Sequence, residues 1–94
     1  MIVVKRLIWE QTNINHIARH EVTPQEVEEV CRNKPVILTG HSGRVVAIGY
    51  TNQNRPVSVI LHPKFPLGTY YPVTARTTDK KERKHYQEQK KGNI

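Results

Sequence analysis

Five basic residues crowd one short stretch near the C-terminus: Arg76, Lys80, Lys81, Arg83 and Lys84. Arginine presents a planar fork that can bind a phosphate through paired hydrogen bonds, and lysine adds a mobile point charge. Arg83 and Tyr86 are spaced i, i+3, so they share a face if the segment is helical. There a phenol ring can stack on a base or offer its hydroxyl. Such a set suits contact with a polyanion, with Lys80, Lys81 and Lys84 acting on backbone phosphates. Glu82 sits inside the cluster and has three readings: the reciprocal residue of a helix cap, a salt-bridge partner for Arg76, or a general base. For Tyr86, packing competes with ligand contact.

The histidines offer a second kind of chemistry. His16 and His20 are spaced i, i+4, which would suit a metal ion on a helix face. No HExxH surrounds them, no third ligand is indicated, and Cys31 is the lone cysteine, so no metal and no cofactor is expected. His20 falls near a helix C-terminus, where the macrodipole favours imidazolium. That suits a phosphate contact or an acid in RNA cleavage, or a plain C-terminal cap. His41, His62 and His85 fall on a turn, a strand end and a polar helix, and are expected at the surface. Trp9 is expected at the edge of the core. No phosphate-cradling glycine motif, Ser-His-Asp or Cys-His arrangement, or paired catalytic carboxylates are present.

The elements that must position these residues follow from periodicity and punctuation. Residues 3–9 mix β-branched and aromatic types and predict a first strand. Ile14, Ile17 and Ala18 repeat at i, i+3, i+4 and predict a short helix from Thr12 to about His20. Thr23-Pro24-Gln25-Glu26 is a capping box with proline at the first helical position, flanked by Val22 and Val27 as a hydrophobic staple. Val27, Val30 and Cys31 form that helix's apolar stripe, and Asn33-Lys34-Pro35 ends it. Strands are predicted at about 36–39, 44–51 and 56–61, separated by the turns Gly40-His41-Ser42-Gly43 and Asn52-Gln53-Asn54-Arg55.

A last strand is predicted over about 69–76. Alternation places Tyr71, Val73 and Ala75 on one face and Tyr70, Thr74 and Arg76 on the other. Pro72 within it predicts an edge position or a bulge. Asp79-Lys80-Lys81-Glu82 is a second capping box, opening a helix to about Gln89. That helix has almost no apolar stripe, so core burial alone cannot hold it. The order β-α-α-β-β-β-β-α predicts an α+β fold, two helices on a mostly antiparallel sheet.

Composition narrows the function classes. The 94 residues suit one domain, 1–94, with 79–94 as a polar C-terminal helix and tail. Hydrophobic residues at 36% and charged residues at 24% describe a globular chain rather than a disordered one. No apolar run approaches the roughly 20 residues of a membrane span. At the N-terminus the charges follow the apolar residues, the wrong order for a signal peptide, so a cytoplasmic location is expected. The net charge of +7 points to nucleic acid or an acidic protein as partner. Residues 76–91 alone hold seven basic and three acidic residues.

Two stretches together carry a family resemblance. Trp9-Glu10 followed by Asn15-His16-Ile17-Ala18-Arg19-His20-Glu21-Val22-Thr23-Pro24-Gln25-Glu26-Val27 resembles the N-terminal signature of the BrnT-like toxins, within the RelE-like superfamily of small bacterial ribonucleases. Thr74-Ala75-Arg76, then Glu82-Arg83 and Tyr86, is similar to that family's closing strand and helix. The middle strands match only in pattern. The resemblance implies a RelE-like fold and the toxin of a type II toxin–antitoxin pair. Such a toxin cleaves RNA without a metal, either free RNA or ribosome-associated mRNA, and so inhibits translation. A small cognate antitoxin with a DNA-binding segment silences it. The implied catalytic positions are His20, Arg76, Glu82, Arg83 and Tyr86. Glu21 stands where the family usually has glycine, and Pro72 interrupts the closing strand. A non-catalytic RNA- or protein-binding module on the same fold is the alternative, and homodimerisation stays open.

Overall fold

The structure is a computed structural model and describes residues 2–92. The elements are β1 (Arg6–Leu7), α1 (Gln11–Ala18), α2 (Pro24–Arg32), β2 (Val36–Thr39), β3 (Val45–Tyr50), β4 (Pro56–Pro63), β5 (Thr69–Thr77) and α3 (Lys80–Gly92). The order is the one the sequence predicts, and the fold is α+β. Five strands form one mixed sheet in the order β1-β5-β4-β3-β2. β1 runs parallel to β5, while β2, β3, β4 and β5 pair antiparallel in succession.

The capping signals act as the sequence indicates. Thr23 Oγ1 accepts from the Glu26 amide at 3.2 Å, and Glu26 Oε1 accepts from the Thr23 amide at 3.0 Å. α2 then lays Val27 and Val30 into the core, both fully buried. Gly49 lets it come close, because a Cβ there would sit 3.3 Å from Val30 Cγ1. Ile17 of α1, Val22, Val57, Val59, Leu61 and Ala75 complete this core. Asn13 of α1 is 1% exposed. Its amide donates to the Ile8 and Pro72 carbonyls at 3.0 and 3.1 Å, tying β1 to β5 where their pairing stops.

Several expectations need correction. The first strand shrinks from 3–9 to the two residues Arg6–Leu7. The Lys5 and Ile8 amides still donate to the Gly68 and Tyr70 carbonyls at 2.9 Å, and beyond them Trp9 leads to Glu10, the N-cap of α1. Trp9 packs against the core and its indole donates to Glu28 at 2.9 Å. β5 is not at an edge; it lies between β1 and β4. Pro72 is instead accommodated by a bulge. The register steps from Ile60↔Thr74 to Leu61↔Pro72, leaving Val73 without a partner. The extra residue reverses the alternation along β5. Tyr70 therefore joins Ala75 in the core and Tyr71 turns to the other face, against the simple period-two assignment.

Two helices pack on the sheet as expected, and the third packs on it as well. α1 and α2 cover one face of the sheet, and α3 packs on the opposite face over β3 and β2. α3 extends to Gly92, past the expected end at Gln89. The expected tail reaches residue 94, beyond the described residues. No described helix is long and apolar enough to cross a membrane.

Candidate functional site

The C-terminal cluster is built where β5 hands over to α3. Arg76 faces Ser58 across the β5–β4 pair, and Ser58 in turn faces Ile48 of β3. These side chains lie on the α3 side of the sheet. Asp79 caps α3, its Oδ1 accepting from the Glu82 amide at 2.8 Å. Glu82 closes the box by accepting from the Asp79 amide at 3.1 Å.

The same Glu82 carboxylate meets Arg76 as a fork on a fork, Nη1 to Oε1 at 2.6 Å and Nη2 to Oε2 at 2.8 Å. Ser58 Oγ donates to Oε1 at 2.9 Å and shares a hydrogen bond with Thr78 Oγ1 at 3.0 Å. Burial works to raise the Glu82 carboxyl, but Arg76, the Asp79 amide and Ser58 outweigh it, and the group sits below its ordinary value of 4.5. The Glu82 hydrogen bonds push the Arg76 guanidinium further toward its charged form. Two of the three sequence readings of Glu82 are thus both met: it is the cap's reciprocal residue and the partner of Arg76.

Tyr86 lies one turn beyond Glu82 on the sheet-facing side of α3. Its ring meets Tyr50 edge-on at 5.3 Å between centroids. The Lys90 ammonium lies 5.4 Å from its centre and donates to the Lys34 carbonyl at 2.7 Å. Hydrogen bonds and ring contacts therefore hold α3 in place of an apolar stripe. Lys80, Lys81, Arg83 and Lys84 are all exposed on the same helix. Arg83 makes no side-chain hydrogen bond or ion pair among the described residues.

His20 does not join this group. It is exposed in the turn after α1 and makes no side-chain hydrogen bond to Arg76, Glu82, Arg83 or Tyr86 among the described residues. Its link to the strand ends is indirect, through Arg55. The Arg55 guanidinium donates to the Glu21 carbonyl at 2.6 Å, to the His20 carbonyl at 3.4 Å and to Thr77 Oγ1 at 3.4 Å. It also forms an ion pair with Glu26 at 3.0 Å. Glu21 takes a left-handed φ of 59°, the conformation for which glycine is favoured and where another residue is strained by about 1 kcal/mol. Arg55 binds the Glu21 carbonyl and so helps hold that turn. The His16 and His20 rings are 6.4 Å apart between centroids. Among the described residues no group of three His, Cys, Asp or Glu gathers as a metal site.

No local motif in the sequence marks Arg55, Ser58 or Tyr50. Arg55 sits in a polar turn, Ser58 in an otherwise apolar strand, and Tyr50 at a strand end, so only the strand pairing reveals their partners. A serine at a core-length strand's centre was the one available signal. His62, expected at the surface, is half-buried, and its Nδ1 is inaccessible without a hydrogen-bond partner among the described residues. No known family and no curated protein matches the chain.

Proposed function

We propose that the protein is a metal-independent ribonuclease, the cytoplasmic toxin of a type II toxin–antitoxin pair, on a RelE-like fold. The observation that carries this reading is the Arg76–Glu82 fork seated beside the exposed Arg83, Lys80, Lys81 and Lys84. It joins a carboxylate, a fixed guanidinium and mobile cations on one strand–helix junction. Its support also includes the paired sequence resemblances at the two ends of the chain.

RNA cleavage of this class needs no water. The 2′-oxygen attacks the adjacent phosphorus, the bond to the 5′-oxygen breaks, and a 2′,3′-cyclic phosphate and a 5′-hydroxyl result. The 2′ proton passes to a base and the leaving 5′-oxygen receives one from an acid. Arg83 supplies the phosphate cation, assisted by Arg76, where negative charge grows in the transition state. Glu82 is the base within reach of that junction, once the phosphate competes for Arg76. Tyr86 orients the RNA. His20 contributes only to a strand that passes around the end of the sheet. An acidic antitoxin covering α3 would block Arg83 and Arg76 together, giving inhibition a steric and electrostatic cause.

The non-catalytic binding module has one observation in its favour: Glu82 is fully engaged by Arg76, Ser58 and the Asp79 amide, which suits a structural carboxylate. Purified protein incubated with RNA in excess chelator separates the two. Products ending in cyclic phosphate, lost in Arg83→Ala with folding intact, support the enzyme. RNA retained uncut, with ribosome-bound message also intact, supports the module.

A further inference from the structure

The part of the sheet that α3 leaves uncovered ends in a pair of rings. On β4, Val57, Val59 and Leu61 are fully buried toward α1 and α2, so Ser58, Ile60 and His62 alternate onto the opposite face. His62 stands directly across from Tyr71, which the bulge at Val73 has turned to that face. Both residues are half-buried. Between them and the Ser58–Arg76 pair lie Ile60 and Thr74, facing one another and also half-buried. Val46 and Ile60 floor an adjoining hollow of about 220 Å³ whose rim carries His41 and Arg44. Lys64 places its ammonium 5.9 Å from the Tyr71 ring centre. The His62 Nδ1 has no partner among the described residues, so the imidazole is not committed there to holding the fold together.

We propose that His62 and Tyr71 form a nucleobase-stacking subsite for single-stranded RNA, at the far end of a track that begins at Arg76 and Arg83. The inference rests on the ribonuclease reading and adds where the substrate lies. Stacking on rings, with cations alongside for the backbone, is how single strands are held without sequence readout. The floor between the ends, Ile60 and Thr74, is apolar or neutral, which suits bases better than phosphates. From Ser58 to His62 the strand covers about 13 Å at ~3.3 Å per residue. That exceeds a phosphate group, so the ligand spanning both ends is an oligonucleotide. Burial and the nearby Glu10 carboxylate push the Tyr71 phenol above its ordinary value. Its hydroxyl therefore stays protonated and engaged with Glu10, so the subsite offers a base its ring and not its hydroxyl.

A short 2′-O-methyl oligoribonucleotide lacks the attacking hydroxyl and reports binding alone. Titrated into the isotopically labelled protein, it should shift the His62 and Tyr71 ring signals together with those of Arg76 and Arg83. His62→Ala with Tyr71→Ala should weaken binding at least about tenfold, the scale of a lost base stack, while Tyr71→Phe retains it. The signal mapping on the unaltered protein decides the matter even if the double variant unfolds. Binding confined to Arg83 and its neighbours, with His62 and Tyr71 unmoved, overturns the subsite and leaves the ribonuclease reading standing. No binding of the oligonucleotide at all overturns the subsite, and cleavage of ribosome-bound message then decides the ribonuclease reading separately.

Discussion

Arg76 and Arg83 lie seven positions apart and live in different surroundings, which makes their variants separable. Arg83 is exposed, and exposed substitutions usually change stability by less than about 0.5 kcal/mol. Arg83→Ala should therefore fold normally and lose RNA cleavage. Arg76→Ala leaves the Glu82 carboxylate without its fork and should lower stability by about 1–2 kcal/mol as well. Urea unfolding midpoints beside a cleavage assay check the pair; equal midpoints would refute the structural half of the Arg76 role. Cys31 gives a second residue-level outcome. Burial, aided by Glu28, pushes its thiol up to about 12. The thiolate is the reactive form, so folded protein should resist a thiol reagent at about pH 8 and react quickly once unfolded. Rapid labelling of the native chain would contradict the burial.

At the scale of elements, α3 is the part whose attachment depends on ionised groups. Glu82 in the folded chain ionises below its ordinary 4.5, so the folded state gives up that proton more readily than the unfolded one. Its stabilisation is complete above the unfolded value and disappears as pH falls through the lowered one. The Glu26 carboxyl at α2 behaves the same way. Burial opposes its ionisation, but Thr23 and Arg55 lower it overall. The Tyr50–Tyr86 ring contact, followed by NMR from about pH 7 to pH 2, should weaken across the acid range while the core hydrogen bonds of β3 and β4 persist longer. Loss of both together would show that α3 is no separate unit. The β4 strand offers the contrast, since it is held by apolar burial. Leu61→Ala removes a fully buried side chain and should cost about 2–5 kcal/mol at any pH, read from the same urea midpoints.

For the whole molecule, the net charge of +7 makes RNA affinity salt-dependent. Each phosphate neutralised on a single strand contributes about 0.7 to the slope of log affinity against log salt. Arg83, Lys80, Lys81 and Lys84 together predict a slope of about −3. Arg83→Ala should reduce its magnitude by about 0.7. A flat dependence would mean that this surface does not meet the backbone. The same charge works against close pairing of two copies through their α3 surfaces.

Much of this fold was legible in local chemistry. The Thr23-Pro24-Gln25-Glu26 box, the turns around Gly43 and Asn54, and the Asp79 cap are signals carried by neighbouring residues, and α2, the strands β2 to β4 and the start of α3 stand where they place them. Glu82 as cap and ion-pair partner was legible for the same reason, since Asp79 and Arg76 are near it in sequence. The remainder required contacts between distant residues. A bulge opposite Leu61 inverted the faces of Tyr70 and Tyr71, because one unpaired residue changes parity for everything beyond it. The turn holding His20 and the end of β5 meet only through Arg55, a contact between residues far apart in sequence. Ser58 and Tyr50 became the seats of α3 only when β3, β4 and β5 aligned them. Sequence determined which elements form and which charges they carry, through short-range hydrogen bonding and periodicity. Tertiary structure alone decided which side chains share a face, because register is a property of paired strands and not of either strand by itself.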